Sequence, residues 1–276
     1  MTDRYAVIGN PIGHTRSPFI HGLFAQSTDQ DIEYTAIEGP TGSPQAFADA
    51  LLAFRDSGGK GMNVTAPFKM QAFDLATDRL DRARIAGATN ALKFEGDRIA
   101  ADNFDGVGLL RYIQRNLGVA LEGKRVLLLG AGGAVRGALL PFLAARPAEL
   151  VLANRDAAKA RALVNAFAID GPVVDREYGE LANEWFDVVV NATSASLRGE
   201  LPPLPVGVFS QAELAYELAY GKGLTPFLRL ARNAGVGHLA DGVGMLVEQA
   251  AEAFAWWRGV RPDTRPVIAR LTVPLA

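Results

Sequence analysis

The chain has no cysteine. Disulfides, thiolate nucleophiles and cysteine-held zinc or iron–sulfur clusters are excluded by that alone. Histidine is nearly as scarce: His14, His21 and His238 are too scattered to make a ligand set, so no metal is expected. Long apolar runs are missing too. None approaches the roughly 18 residues that a membrane span needs, and the start, Met1-Thr-Asp-Arg-Tyr5, carries an acid and has no apolar h-region. Neither a span nor a secretory signal is expected, and the expected setting is the cytoplasm. There is also no charge field: 28 Lys+Arg against 30 Asp+Glu give a net charge of −2. Nucleic acid and membrane surfaces are therefore not expected partners. Neither internal repeats nor low-complexity segments are visible.

What is present is an ordinary globular composition, 49% hydrophobic and 21% charged, over 276 residues. That length supports a buried core and suggests about two domains. The most informative stretch is Arg125-Val-Leu-Leu-Leu129-Gly130-Ala131-Gly132-Gly133-Ala134-Val135. It reads as a short buried strand, a glycine turn and the start of a helix running to about Ala145. Unpaired N–H groups and a partial positive charge at the helix start suit an anion such as a pyrophosphate. The fingerprint G-x-G-x-x-G is incomplete, since Val135 holds its third position. A second strand, Leu150 to Ala153, ends in Asn154-Arg155, where enzymes using NAD tend to carry an acid for the ribose 2′-hydroxyl. A neutral amide and a guanidinium suit a 2′-phosphate better. The expected cofactor is NADP(H). Asp156 next to them reads as the N-cap of the helix Ala157 to Phe167.

Read in order, the first hundred residues alternate strands and helices without a phosphate loop. Strands are expected at Tyr5–Ile8, Ile32–Ile37 and Met62–Val64, and helices after Ser17-Pro18, after Ser43-Pro44 and over Asp78–Ala86. A hairpin turns at Glu95-Gly96-Asp97. A helix from about Val107 to Leu117 opens the second half. Its later strands are Asp187–Val190 and a segment near Leu214–Leu218 whose composition fits a helix and whose position fits a strand. Helices follow Thr225-Pro226 and span Met245–Trp257 and Thr264–Leu271. The reading is α/β, an N-terminal α/β domain followed by a second that holds the glycine turn.

Several polar residues follow strand ends, where open α/β sheets place ligands. Thr15 and Ser17 follow the first strand, Thr65 and Lys69 the third, and Asn90 and Asp105 flank the hairpin. A lysine and an aspartate in one cleft make a proton-transfer pair for a carbonyl that gains a hydride. On spacing alone, the plainer reading is a solvated helix lysine and a helix cap, with Ser17 as another cap.

The ordered set of segments changes the balance: Gly9-Asn-Pro-Ile-Gly-His14-Thr15-Arg-Ser17-Pro-Phe-Ile-His21, Asn63-Val-Thr65-Ala-Pro-Phe-Lys69, Gly87-Ala-Thr-Asn90, Asp102-Asn-Phe-Asp105-Gly106, Gly130-Ala-Gly-Gly-Ala134, Asn191-Ala-Thr-Ser194 and Asp241-Gly-Val-Gly-Met-Leu-Val-Glu-Gln249-Ala. Together they resemble the shikimate dehydrogenase family, from Tyr5 to about Ile268. The resemblance implies reversible NADP-dependent reduction of 3-dehydroshikimate to shikimate, in the chorismate and aromatic amino-acid pathway. It implies Lys69 and Asp105 as catalytic pair, Asn90, Thr65 and Gln249 on ring hydroxyls, and Thr15, Ser17 and Tyr220 on the carboxylate. Gly130, Ala131, Gly132, Gly133, Ala134, Asn154, Arg155, Lys159, Thr193 and Gly242 would hold the cofactor. The implied organisation is a substrate domain over 1–105, a Rossmann-type NADP-binding domain over 106–242, and C-terminal helices over 243–276 that return to the first domain. A cleft between the domains would bring Gln249 to the substrate, in a monomer or homodimer.

The chain departs from the family pattern at five places. Thr15 and Phe104 stand where Ser and Thr are usual. Ser196 replaces a common Gly, Glu217 a usual Asp, and Asp156 a common Thr beside the 2′-phosphate. A quinate-preferring or NAD-using paralogue, and a non-catalytic NADP-binding sensor, stay open as alternatives.

Overall fold

The computed structural model describes residues 2–275. The chain divides into two compact units, Met1–Gly108 with Val247–Val267 and Leu109–Leu246 with Ile268–Ala276. In the first, β1 (Asp3–Gly9), α1 (Ser17–Ser27), β2 (Ile32–Glu38), α2 (Pro44–Asp56), β3 (Gly59–Val64), α3 (Lys69–Leu75), β4 (Asp78–Arg79), α4 (Asp81–Ala86), β5 (Ala91–Glu95) and β6 (Arg98–Asp102) lead to α5 (Asp105–Arg111). The second contains β7 (Arg125–Leu129), α6 (Gly133–Ala144), β8 (Glu149–Ala153), α7 (Ala157–Phe167), β9 (Val173–Arg176), β10 (Val188–Asn191), β11 (Leu214–Glu217), α8 (Pro226–Asn233) and β12 (His238–Ala240). The last helices are α9 (Val243–Arg258) and α10 (Arg265–Leu271), and unit boundaries fall within α5, α9 and α10. Among the described residues, no helix is long and apolar enough to cross a membrane.

The first sheet has the order β2-β1-β3-β5-β6-β4. β1 lies between parallel β2 and β3, and β5 runs antiparallel to β3 and β6. Tyr5–Gly9 is buried throughout, as a strand covered on both faces should be. One core cluster joins Ile8, Phe47, Leu51, Met62 and Phe68. Helix α2 faces it with Phe47, Ala48, Leu51 and Phe54, and the Ser43 side chain caps its start by accepting from the Ala46 N–H. A second cluster joins Tyr5, Ala91, Phe104, Ala253 and Trp257. Gly61 makes room for it: a Cβ there would lie 2.6 Å from Trp257 Nε1, which donates to the Leu92 carbonyl at 3.0 Å. α9 thus seals the first unit, and its last residue Arg258 reaches Asp3 and donates to Gln30 at 2.8 Å.

The second sheet is parallel throughout, in the order β12-β11-β10-β7-β8-β9. The chain leaves β7 for β8 on one side and later returns through β10 on the other. This is the doubly wound Rossmann arrangement, and the glycine turn after β7 sits at its switch point.

The ambiguous segment near 214–218 is the strand β11, with all four residues buried; sheet position overrides its helical composition. The expected helix over 78–86 is shorter. Backbone bonds from Thr77 to Ile99 and from Leu80 to Ala101 draw its start into the sheet as β4. The helix expected over 107–117 begins as α5 and widens into a π turn at Tyr112–Asn116. Edge strands β9 and β12 offer no alternation to read, being four and three residues long. Ser17 is the first residue of α1, not its cap, and no side chain caps that helix.

His21 on α1 is completely buried and stacks on Tyr34 at 4.1 Å with a 6° interplanar angle. The amide of nearby Asn63 is engaged by Tyr34 and the Asn90 carbonyl, and among the described residues neither imidazole nitrogen has a hydrogen-bond partner. Burial lowers its pKa from 6.5 to about 3. The folded state therefore holds the neutral ring while the unfolded chain takes up a proton below about pH 6.5, so stability falls as pH falls. Between pH 7 and pH 5 this costs about 2 kcal/mol. Urea unfolding of His21→Phe against the parent chain should show that much less acid sensitivity; equal slopes would contradict the burial of an uncharged imidazole.

Candidate active site

In the first unit, Lys69 opens α3 just after β3, and Asp105 opens α5 just after β6. Lys69 Nζ donates to Asp105 Oδ2 at 2.6 Å. The lysine side chain keeps 32% of its surface exposed, against 11% for the aspartate. The carboxylate is thus the fixed member, and the ammonium has protons left for another oxygen. Asp105 is no ordinary cap: its second oxygen accepts from Asn90 Nδ2 at 2.8 Å, and its N–H donates to Asn103 Oδ1 at 3.1 Å.

Asn90 is the hub. Its Nδ2 also donates to Gln249 Oε1 on α9 at 3.0 Å, and its Oδ1 accepts the Phe104 N–H at 2.9 Å. Gln249 comes this close because Gly108 has no side chain: a Cβ there would sit 2.7 Å from the Gln249 nitrogen. Behind Asn90, the buried Asp102 pairs with Arg82, and its carbonyl accepts from Thr89 Oγ1 at 2.6 Å and from the Asn90 N–H at 3.2 Å. The Phe104 ring does not join this polar set. It is 3% exposed in the cluster with Ala253 and Trp257, edge-on to Trp256 at 5.7 Å and under the Arg82 guanidinium at 5.0 Å. The replacement of the usual threonine therefore adds packing, while the backbone of residue 104 fixes Asn90.

Thr15 and Ser17 lie together, with their hydroxyl oxygens 3.3 Å apart. Thr65 is tied to the end of β1 by its N–H on the Ile8 carbonyl at 3.0 Å, and Gly9 admits its methyl group. Tyr34 is a site residue that sequence reasoning missed. Burial pushes its hydroxyl well above the usual tyrosine range, so it is a donor; it gives its proton to Asn63 Oδ1 at 2.7 Å and faces Ser17. Asn63 in turn donates to the Asn90 carbonyl at 3.1 Å. A hydrogen-bonded line therefore runs from the Thr15–Ser17 hydroxyls to the Lys69–Asp105 pair. The only signal for Tyr34 is its place in an alternating strand.

In the second unit, Gly130 turns with φ +117°, and a Cβ there would lie 3.2 Å from the Ala192 carbonyl oxygen. Added Cβ atoms at Gly132 and Gly133 would meet nothing within 4 Å, and no side chain caps α6. Those are the features of a cradle that a phosphate group enters. A cavity of about 360 Å³ opens beside the turn, lined by Gly130, Ala131, Gly132, Asn154, Arg155 and Thr193 among others. Gly133 and Ala134 begin α6. The donor set and the open glycines fit a dinucleotide with a phosphate near Arg155. Lys159 is not among the lining residues; its ammonium lies 3.7 Å from Asp156. Gly242 packs on Leu218, whose carbonyl oxygen would be 2.0 Å from an added Cβ. Tyr220 follows β11 and is 41% exposed.

Two departures from the family pattern meet here. Glu217 at the end of β11 is fully buried and accepts from the Ser196 hydroxyl, from Asn191 Nδ2 at 3.0 Å and from Thr225 Oγ1 at 3.3 Å. Burial raises its pKa, and these donors pull the other way. The longer carboxylate reaches a hydroxyl that glycine would not supply.

Comparisons with known proteins identify the family. The family pattern described as "Shikimate dehydrogenase substrate binding domain" matches residues 7–92, "Shikimate / quinate 5-dehydrogenase" matches 111–198, and "Shikimate 5'-dehydrogenase C-terminal domain" matches 242–272. A protein of Nitrosospira multiformis named Shikimate dehydrogenase (NADP(+)) is 54% identical, over 98% of each chain. The chain belongs to the shikimate dehydrogenase family. Among solved structures, an Ael1 enzyme from Pseudomonas putida is 66% identical with a TM-score of 0.96, covering 100% of both chains. Shikimate 5-dehydrogenase from Thermus thermophilus, solved in complex with NADP(H) and shikimate, is 30% identical with a TM-score of 0.85, over 98% of this chain and 100% of that one.

Ser196→Ala should lower stability in urea by about 1–3 kcal/mol, because it leaves a buried carboxylate short of a donor. Adding Glu217→Gln should recover part of the loss, since the orphaned group is then neutral. A double variant no more stable than Ser196→Ala alone would contradict the pairing.

Proposed function

We propose that this chain interconverts 3-dehydroshikimate and shikimate with NADP(H), as a cytoplasmic enzyme of aromatic amino-acid biosynthesis. The observation that carries the mechanism is the 2.6 Å Lys69–Asp105 pair held in register by Asn90. Bound reduced nicotinamide supplies the hydride that the ketone carbon takes up. As negative charge builds on the ketone oxygen, the Lys69 ammonium donates a hydrogen bond and then a proton to it. Asp105 orients that ammonium. In the reverse direction the neutral Lys69 amine, the form left after that donation, receives the hydroxyl proton.

The remaining polar groups are assigned to binding. Asn90, Thr65 and Gln249 take the ring hydroxyls, and Thr15, Ser17 and Tyr220 take the carboxylate. A small triol acid offers little apolar area, so its affinity rests on such partners, each worth about 1–3 kcal/mol when it would otherwise be buried alone. In the second unit, Gly130, Ala131, Gly132, Gly133 and Ala134 take the pyrophosphate, Asn154 and Arg155 the 2′-phosphate, and Thr193 and Gly242 flank the rest.

Lys69→Met removes the proton donor with little change of volume. Turnover of shikimate with NADP should fall by about 10²-fold or more, while NADP binding, followed by titration calorimetry, stays within about twofold. Unchanged turnover would favour a nucleotide sensor over an enzyme. Arg155→Ala should raise the Michaelis constant for NADP much more than that for NAD; equal effects would refute its role on the 2′-phosphate.

A further inference from the structure

We propose that Arg198 is a second cationic contact to the cofactor's 2′-phosphate, and that Glu200 competes with that phosphate for it. The inference rests on the NADP reading above and concerns how the chain selects that cofactor. Arg198 ends a 3-10 turn, Ala195–Arg198, closed by Gly199 at φ +72°. The turn is anchored from below. Thr193 donates through its N–H and hydroxyl to Asn191 Oδ1 at 3.1 and 2.8 Å, the Ala195 N–H bonds to Thr193 Oγ1 at 3.3 Å, and Ser196 is fixed on buried Glu217. The guanidinium is then aimed by two further bonds, to Ser194 Oγ at 3.1 Å and to Glu200 Oε2 at 2.7 Å. Ser194, Arg198 and Glu200 line the same cavity as Asn154 and Arg155.

The charge pattern fits an anion in that place. Arg198 holds the Glu200 carboxyl below the usual range, with a further pull from Arg155, so the carboxylate feels both guanidinium groups. A phosphate dianion offers the same two arginines more charge and more acceptor oxygens than a carboxylate does. Lys159 is not among the residues that line the cavity, and its ammonium lies 3.7 Å from Asp156. The second cation comes instead from the turn after β10. Both Arg198 and Glu200 are half-exposed, so changing them should leave the fold intact.

Titration calorimetry of the full chain with 2′,5′-ADP and with 5′-ADP tests this without turnover. The parent chain should prefer 2′,5′-ADP, and Arg155→Ala should lose most of that preference. Arg198→Ala should weaken 2′,5′-ADP about tenfold, the size of one charge-assisted hydrogen bond, and leave 5′-ADP within about twofold. Glu200→Gln should tighten 2′,5′-ADP about threefold and leave 5′-ADP unchanged. If Arg155→Ala abolishes the preference while Arg198→Ala and Glu200→Gln leave both ligands untouched, the role of Arg198 is overturned and the NADP reading stands. If the parent chain shows no preference for 2′,5′-ADP, the NADP reading itself fails.

Discussion

The Lys69–Asp105 ion pair is the contact on which the rest of the first unit converges. Its two members stand 36 residues apart, on helices that follow β3 and β6, and nothing local brings them together. Asn90 does so, with one amide spanning Asp105, Gln249 and the Phe104 backbone. The asparagine is itself fixed through Asp102, whose buried charge is answered by Arg82. A buried carboxylate without such a partner is costly, so the Arg82–Asp102 pair serves to hold geometry more than to add stability. The buried polar groups of this unit thus act together to aim one ammonium.

The second unit solves a different problem with the same means. A parallel sheet ends in a glycine turn at the switch point, and the backbone around it must stay open for a ligand. Buried Glu217 keeps the neighbouring turn in place through Ser196, Asn191 and Thr225. Ser196 and Glu217, each a departure from the family pattern, are joined by a hydrogen bond. Phe104 likewise belongs to the packing of its unit, its ring lying among Trp256, Trp257 and Ala253.

Much of this is legible in the residues. The run Val126–Leu129 before glycine, the hairpin at Glu95-Gly96-Asp97 and the Ser43-Pro44 and Thr225-Pro226 helix starts are local signals, and each element forms where the local chemistry puts it. Lys69 and Asp105 can be named, but spacing alone favours a surface lysine and a cap, since their meeting is a tertiary event. Arg82 leaves no local trace, and Tyr34 only its place in an alternating strand, for the same reason: their partners lie far along the chain on other strands. Strand β11 is ambiguous in sequence because composition and position disagree, and burial on both faces settles it.

Asp105→Asn gives the most direct test of the ion pair, because the amide keeps the shape and loses the charge. Formation of reduced nicotinamide from shikimate and NADP should drop in kcat by about 10²-fold or more, with NADP affinity within about twofold of the parent. A variant that turns over shikimate at close to the parent rate would contradict the account.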